Sequence, residues 1–273
     1  MRLSFHLDGF SLQKMQNRTQ ENQLVSALLR GINILNCFTT QRQELSSREI
    51  AELTGLPKPT LFRLLDTLSE LGLLRYSERV SKYVPGVALL NLSAPTLARM
   101  TIRQLARPFM QDLADHIHGQ VQILVGCRNA LTFTEIVQGI DSKIYRPEVG
   151  MRVSISRTAS GRAYLSLISH EDRQRYLDAF AVDDPLRKAW LLERLDDARH
   201  DLSQLGFCRG HGDLYREITT IAVPMLQPRD DEYWIFAISV PVYSQQSQQL
   251  DDDIGPRLIS LVRSVEASLG TVA

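Results

Sequence analysis

Apolar residues between positions 45 and 84 recur first with a helical period and then in short strand-like runs. Ser46 and Glu49 lie three residues apart just before the first apolar run, which is the spacing of a capping box. In that motif each side chain satisfies a backbone N–H at a helix start. Gly55 follows where the chain must bend, because glycine adopts a left-handed backbone without steric cost. The pattern predicts a helix that begins after Ser46 and ends at Gly55.

A second, leucine-striped helix follows the turn. Pro57 and Pro59 flank its first turn, where a missing N–H is harmless. Its leucines recur at helical spacing and are predicted to be buried together: Leu61, Leu64, Leu65, Leu68 and Leu71. Gly72 is predicted to end this helix at the C′ position. Two short strands at 73–76 and 82–84 enclose a polar loop, and this order is typical of a winged helix-turn-helix.

This module predicts DNA binding, because the second helix of a helix-turn-helix enters the major groove with its N-terminal residues. Arg63 can contact guanine or a phosphate, and the serines at the first helix suit a phosphate oxygen. Arg79 and Lys82 lie in the predicted wing. The alternative for each residue is an ordinary solvated side chain. The candidate DNA contacts are Ser46, Ser47, Lys58, Thr60, Arg63, Arg79 and Lys82.

Charge is unevenly divided along the 273-residue chain, although its formal net charge is zero. Residues 1–110 contain 14 Lys and Arg against 8 Asp and Glu, whereas the remainder contains 17 against 23. A basic N-terminal part is what contact with phosphates requires, and its affinity for DNA is expected to fall with salt.

The chain divides into four predicted regions. Residues 1–23 form a polar tail, and residues 24–86 form the DNA-binding domain, with a packing helix at 24–38 and the helix-turn-helix at about 46–71. Residues 87–117 form a linker region, in which Pro95 opens a helix to about His116 that is a candidate dimer contact. Residues 118–273 contain strands, then helices, then strands and a closing helix, which predicts an α+β domain on a mostly antiparallel sheet.

Several classes of chemistry have no signature in the sequence. No stretch reaches the roughly 18 to 20 apolar residues that a membrane helix needs. Three scattered cysteines give no disulfide framework, and six histidines do not cluster as metal ligands. Phosphate-loop and nucleophile-elbow motifs are also missing from the sequence. We therefore expect a cytoplasmic protein with no catalytic residues, metal or cofactor.

The chain resembles the IclR family of bacterial transcriptional regulators over residues 24 to about 268. The resemblance is carried by TGLPKPTLFRLLDTLSELGLL and the wing, by VGMRVSISRTASGRAYL, and by REITTIAVPML with IFAISVPV downstream. It implies a winged helix-turn-helix, a linker helix and a C-terminal domain similar to the GAF fold that binds a small organic molecule. It also implies a homodimer or a dimer of dimers.

The resemblance further implies an effector pocket between the sheet and the helix that opens at TASGRA. Carried over by position, its lining is Tyr145, Val153, Ala159, Ser160, Thr220 and Ser239. Backbone N–H groups near a helix start favour a negative group, so a carboxylate effector is expected. Two alternatives stay open at this point. TASGRA can be a tight helix–sheet packing motif, and each strand residue can point away from the cavity.

Three positions depart from the family pattern. Pro59 replaces a common serine, which leaves DNA contact there in question, and Arg162 replaces a common lysine and keeps its charge. Pro241 stands where a second small polar residue is expected. Arg216 and His211 precede a predicted strand and either reach a ligand acid or are exposed loop charges.

The sequence therefore predicts a regulator that binds double-stranded operator DNA and responds to a carboxylate or aromatic acid. One alternative is an enzyme that its basic N-terminal module tethers to DNA. Another is a winged helix that binds protein instead of DNA.

Overall fold

The elements at the N-terminal end follow the predicted winged helix-turn-helix order. The computed structural model describes residues 24–127, 130–183, 185–226, 232–242 and 247–270, so the predicted tail lies outside the described residues. Three helices come first: α1 Ser26–Leu35, α2 Ser47–Thr54 and α3 Lys58–Glu70. A hairpin of β1 Leu74–Ser77 and β2 Lys82–Pro85 follows, and α4 Ala88–Arg99 completes this unit.

The three helices and the hairpin share one small apolar core. Ile34 of α1, Ile50 of α2, and Leu61 and Leu65 of α3 are fully buried in it. The hairpin is joined to the chain before α2, since Leu45 and Tyr83 exchange backbone hydrogen bonds of 3.0 and 2.8 Å. This pairing fixes the wing against the start of the helix-turn-helix.

The predicted helix ends are confirmed, with one error in the leucine stripe. Gly55 and Gly72 both adopt a left-handed backbone with φ of 66°. The N–H of Leu73 donates to the carbonyl of Leu68 at 2.9 Å, which is the 6→1 bond of a Schellman motif. Leu71 was predicted to be buried, but it is 60% exposed. It is the C-cap that follows α3, and at about 100° per residue it lies beside the half-buried Leu64 at the edge of the stripe, away from its centre at Leu61, Leu65 and Leu68.

The prediction that Pro95 opens a helix is also wrong. Pro95 lies inside α4, and the helical backbone is interrupted at Met100 instead, where φ is −77° and ψ is 65°. A proline removes one helical hydrogen bond, but the alanines and leucines around Pro95 are strong helix formers. The described residues form two compact units that adjoin in sequence between Arg99 and Met100.

The second unit is an α+β domain, as predicted. It contains α5 Thr101–Ile117, β3 Gln120–Cys127, β4 Ala130–Gln138, β5 Arg152–Ser154, α6 Ala159–Leu167, α7 His170–Asp183, α8 Pro185–Gln204, β6 Cys208–His211, β7 Ile218–Pro224, β8 Trp234–Pro241, α9 Ser247–Gln249, a π-helix Leu250–Ile254 and α10 Gly255–Gly270. Its six strands pair antiparallel throughout in the order β5-β4-β3-β8-β7-β6.

Each face of this sheet buries a separate apolar cluster. Val121 and Ile123 of β3 belong to the cluster formed with α5 and α10. Leu124, beyond a register shift in β3, belongs to the cluster formed with α6, α7 and α8. The edge strands β5 and β6 were not predicted, because three or four residues with arginine and glycine among them lack the β-branched pattern of a strand.

Candidate DNA-binding surface and effector site

The predicted capping box is present at the start of α2. The Ser46 hydroxyl oxygen accepts from the Glu49 N–H at 3.2 Å, and the Ser46 N–H donates to Oε2 of Glu49 at 2.7 Å. Hydrogen bonds from Ser46, and then the Lys82 ammonium, lower the Glu49 pKa to about 2. Ser46 therefore has a structural role at this helix start, beside whatever contact it makes with DNA.

The outer face of α3, opposite the leucine stripe, is exposed. Pro59, Arg63 and Thr67 are all exposed, and Lys58 is exposed at the first position of the helix. Thr60 is partly exposed. The sequence reasoning did not single out Phe62, whose ring is about half exposed beside Arg63. The sequence feature that could have identified Phe62 is its position as an aromatic residue outside the leucine stripe.

The cations of this unit differ in whether an acid neutralises them. Lys82 lies 3.3 Å from Glu49, and Arg79 lies 3.9 Å from Glu44. Within the described residues no carboxylate forms an ion pair with Lys58 or Arg63. Among the described residues, the start of α3 therefore presents two positive charges without an ion pair, whereas the two candidate DNA contacts in the wing, Arg79 and Lys82, are paired.

In the second unit, α6 begins in a buried environment. The Thr158 hydroxyl accepts from the Gly161 N–H at 3.0 Å and donates to the Ser154 carbonyl at 2.9 Å. Ala159 and Ser160 are buried immediately after this cap. A Cβ on Gly161 would lie 1.9 Å from the carbonyl oxygen of Ile155, so glycine is required there for close packing. The packing interpretation of TASGRA therefore holds for Gly161. The N–H groups of Ala159 and Ser160, the other two of the first turn, have no hydrogen bond to the described residues.

Arg162 supplies a buried positive charge on this helix. Only 2% of the residue is exposed. Its Nη2 donates to the Arg209 carbonyl at 2.9 Å and forms a 2.8 Å ion pair with Oδ2 of Asp213. Its Nη1 is buried and has no hydrogen-bond partner in the described part of the chain. A Cβ built on Gly210 would lie 3.1 Å from Nη2 of Arg162 and 3.4 Å from the backbone nitrogen of Ala159. The guanidinium and the helix start therefore converge on one spot.

Polar residues form a row across the sheet, on the face that α6 covers. Neighbouring strands place these residues in register: Gly210 of β6, Thr220 of β7, Ser239 of β8, Gln120 of β3 and Gln138 of β4. Because residues paired across strands point to the same side, Thr220 and Ser239 share the face of Gly210. Their hydroxyl oxygens lie 3.3 Å apart.

Three glutamines of this face were missed by the sequence reasoning. Gln122 is buried two residues beyond Gln120, and its amide donates to Oε1 of Gln120 at 3.1 Å and to Oγ of Ser239 at 3.3 Å. Gln120 and Gln138 donate to the carbonyls of Tyr145 and Ser142 at 3.0 and 2.9 Å. A sequence pattern could have identified two of them, because glutamines alternate with apolar residues at the start of β3.

Of the two remaining predicted lining residues, Tyr145 lies at the Gln120 end of the row, whereas Val153 pairs with Leu131, seven residues along β4 from Gln138. Val153 is buried on β5 in the same apolar cluster as Ala159. The side chain of Tyr145 is about half exposed and donates to Sδ of Met151 at 3.8 Å. Burial, and then the potential of Tyr145 and Glu217, raise the pKa of Tyr215. Burial also raises the pKa of the Cys208 thiol to about 12, so this thiol stays protonated.

The described residues give no sign of two other kinds of site. Among them, no three His, Cys, Asp or Glu side chains are grouped so as to hold a metal ion. None of the helices in that part of the chain combines the length and apolarity that crossing a bilayer requires.

Two family models match the chain, and together they cover most of it. The IclR helix-turn-helix domain matches residues 27–78, and the C-terminal domain of the bacterial transcriptional regulator IclR matches residues 94–267. The chain belongs to the IclR family. It is therefore a transcriptional regulator with a helix-turn-helix DNA-binding domain and a C-terminal effector domain.

Individual IclR-family proteins align along nearly the whole chain. The HTH-type transcriptional regulator TsaQ1/TsaQ2 of Comamonas testosteroni is 26% identical over 250 residues, which are 90% of this chain and 89% of that protein. The crystal structure of an IclR-family regulator from Brucella abortus is 32% identical and covers 91% of this chain and 94% of its own, with a TM-score of 0.80.

One IclR homologue was solved with a ligand. It comes from Microbacterium hydrocarbonoxydans and is described as complexed with 4-hydroxybenzoate. It is 20% identical, covers 87% of this chain and 99% of its own, and has a TM-score of 0.66. At this identity the likeness shows the shared fold.

Proposed function

We propose that this IclR-family regulator reads its operator with the start of α3, and that a small organic acid in the C-terminal domain changes that binding. The observation that carries the proposal is the exposure of Lys58 and Arg63 on the first turns of α3, where neither forms an ion pair with a described carboxylate. Arginine at such a position reaches guanine or a phosphate. In this proposal the partly exposed Ser47, at the start of α2, and Thr60 bind phosphate oxygens, and the paired wing cations contribute less.

The proposed effector site lies between α6 and the polar row of the sheet. The first N–H groups of α6 favour an anion, because the positive end of the helix dipole lies there. Arg162 adds a buried guanidinium whose Nη2 lies near that helix start and whose Nη1 has no hydrogen-bond partner among the described residues. A carboxylate satisfies both groups. The relative described with 4-hydroxybenzoate supports an aromatic acid as one possible class.

We also propose that the protein assembles as a homodimer or a dimer of dimers. The apolar residues Val25, Leu28 and Ile32 lie on one exposed face of α1. Leu90 and Leu92 are exposed on α4, which has no buried residue. Contiguous exposed apolar surface is typical of protein–protein contacts. A symmetric dimer would bind two half-sites at a fixed separation.

Fluorescence anisotropy on the full-length protein tests the DNA and effector parts of this proposal together. We expect specific binding to DNA from upstream of its own coding region, with affinity that falls steeply as salt rises. Addition of an acid that binds the protein should shift the isotherm, because only unequal affinity for two arrangements changes an equilibrium. Sequence-independent binding, or binding that no bound acid alters, would contradict the proposal.

A further inference from the structure

The polar row presents both donors and acceptors in its middle. Ser239 accepts from the Gln122 amide and shares one hydrogen bond with Thr220. Each hydroxyl has one proton to donate. The contact between the two hydroxyls uses only one of these protons, so the other has no acceptor among the described residues. Oε1 of Gln122 accepts no hydrogen bond from the described residues. Thr220 is only partly buried, and Oε1 of Gln122 is not one of the fully buried unpaired atoms, so both remain open to a further hydrogen-bonding partner.

The chemistry of this part of the row suits a neutral group. Amides and hydroxyls surround it, and a ligand hydroxyl can accept from a protein hydroxyl while it donates to Oε1 of Gln122. A carboxylate only accepts hydrogen bonds, so it binds better to the donors at the Gly210 end of the row. There the guanidinium of Arg162 and the start of α6 converge. The two ends therefore favour different functional groups.

The spacing of the strands sets the distance between these two ends. Gly210 and Ser239 are separated by two strand intervals through Thr220. At a strand spacing of about 4.8 Å, this is roughly 10 Å across the sheet. That span fits an acid that keeps its second polar group on the far side of a six-membered ring, or at the end of a similar chain.

We propose that Thr220, Ser239 and Gln122 are specificity-determining residues that recognise a hydroxyl on the effector, opposite its carboxylate. This inference rests on the proposed function and narrows it from organic acids to elongated hydroxy acids. Gln120 and Gln138 have a positioning role, because they hold the carbonyls of residues 142–145 at the end of the row.

Calorimetric titration of the full-length protein with matched acid pairs tests the proposal. The pairs are 4-hydroxybenzoate with benzoate, and 6-hydroxyhexanoate with hexanoate. In any pair that binds, the hydroxylated acid should bind roughly tenfold more tightly, because unpaired polar groups in a site penalise the analogue that lacks the hydroxyl. Thr220→Val removes one hydroxyl at nearly constant volume, and Gln122→Met removes the amide.

Thr219→Val is the matched control. Thr219 is the buried neighbour of Thr220 on the same strand, and it faces the opposite side of the sheet. We expect Thr220→Val and Gln122→Met to reduce the preference for the hydroxylated acid to less than about threefold, and Thr219→Val to keep it. The quantity compared is the ratio of the dissociation constants of the two acids in a pair. A general weakening of the fold affects both acids and leaves this ratio unchanged.

The outcomes separate this inference from the proposed function. Equal binding of both acids in a pair, or a preference that survives in both variants, would overturn the assignment of the row while an organic acid remained the effector. If no acid of either pair bound a protein that still recognised its operator, the hydroxy-acid class itself would be overturned. DNA recognition would be untouched by either result.

Discussion

Arg162 places Nη2 2.8 Å from Oδ2 of Asp213, so a guanidinium that is almost fully buried is neutralised by a carboxylate on the β6–β7 connection. The Asp213 side chain is 19% exposed. The pair therefore joins the core of the effector domain to a segment at its surface. Because Nη1 keeps its capacity to donate, the guanidinium can hold a ligand acid without releasing Asp213.

Asp213→Asn should destabilise the C-terminal unit and strengthen its binding of acids. Removing one partner of a buried ion pair leaves an uncompensated charge. Because Asp213 is partly solvated, we expect a loss of about 2 kcal/mol in the free energy of unfolding. Urea denaturation followed by tryptophan fluorescence measures it, since Trp190 and Trp234 both lie in this unit. Affinity for a bound acid should rise severalfold, because a competing negative charge is removed.

The control for this variant is Asp196→Asn. Asp196 also pairs with an arginine, Arg199, at 2.6 Å, but both side chains are more than half exposed. We expect a change below about 1 kcal/mol there, as is usual for surface pairs. Equal effects of the two substitutions would show that burial of Arg162 does not determine the strength of its pairing.

Gly161→Ala should disrupt the start of α6. The added Cβ would lie 1.9 Å from the carbonyl oxygen and 2.4 Å from Cα of Ile155, and neither backbone atom can move away cheaply. We expect a loss of about 3 kcal/mol or more in the free energy of unfolding of the C-terminal unit. Tryptophan fluorescence in urea again reports this change.

Gly31→Ala is the matched substitution inside another helix. A Cβ on Gly31 would meet nothing within 4 Å, and α1 keeps its helical geometry there. Since alanine is the better helix former, this change should stabilise the DNA-binding unit by about 0.5 to 1 kcal/mol, measured by far-UV circular dichroism. A loss of stability at Gly31 would show that this site is crowded in the assembled protein.

Most of the fold could be predicted from local sequence patterns, whereas side-chain burial and the register between distant strands could not. Ser46, Glu49, Gly55 and Gly72 encode helix ends through contacts within a few residues, so their roles were readable. The partnership of Arg162 with Asp213 joins residues far apart in sequence, and no local pattern announces it. The polar row could be predicted in part. The family resemblance identified Thr220 and Ser239, whereas the three glutamines could be placed only from the strand register.

Glu49 should make the stability of the DNA-binding unit depend on pH in the acid range. Its pKa in the folded protein is about 2, below the ordinary 4.5. Folding therefore favours the ionised form. The contribution of Glu49 to the free energy of unfolding is complete above pH 4.5 and is lost as pH falls through 2. Glu49→Gln should lower the unfolding free energy at pH 7, and this loss should shrink as pH falls from 4.5 towards 2. Far-UV circular dichroism in urea at several pH values measures this difference.

A control separates Glu49 from the other carboxylates. Glu52→Gln removes a carboxylate from the same helix whose partner, Arg48, is highly exposed. It should leave the pH profile close to that of the native protein. A Glu49→Gln profile that runs parallel to the native one at all pH values would contradict the assigned role of the capping box.

Leu28→Gln should weaken self-association. Leu28 is 65% exposed on the apolar face of α1, next to Val25 and Ile32. If this face is covered by a second copy, a buried amide without a partner raises the dimer dissociation constant by about tenfold or more. Sedimentation equilibrium measures the constant. Leu186→Gln is the control, because Leu186 is 88% exposed on α8 and should leave association unchanged.

Arg63→Ala should weaken operator binding and alter its salt dependence. Arg63 is exposed on the outer face of α3 and forms no ion pair with the described carboxylates, so its charge is available to DNA. If it contacts guanine, we expect a loss of about 1 to 3 kcal/mol in binding free energy and a relaxed preference at one base pair. If it contacts phosphate, the loss is similar on all sequences and the salt slope falls by about one.

Arg175→Ala removes the same charge from α7 in the other unit, where Arg175 pairs with Asp172 at 2.6 Å, and should leave the isotherm unchanged. Anisotropy on the operator and on single-base variants, at several salt concentrations, distinguishes the two contacts. An Arg63→Ala protein that matched the Arg175→Ala protein in affinity, preference and salt slope would remove Arg63 from the DNA-binding surface.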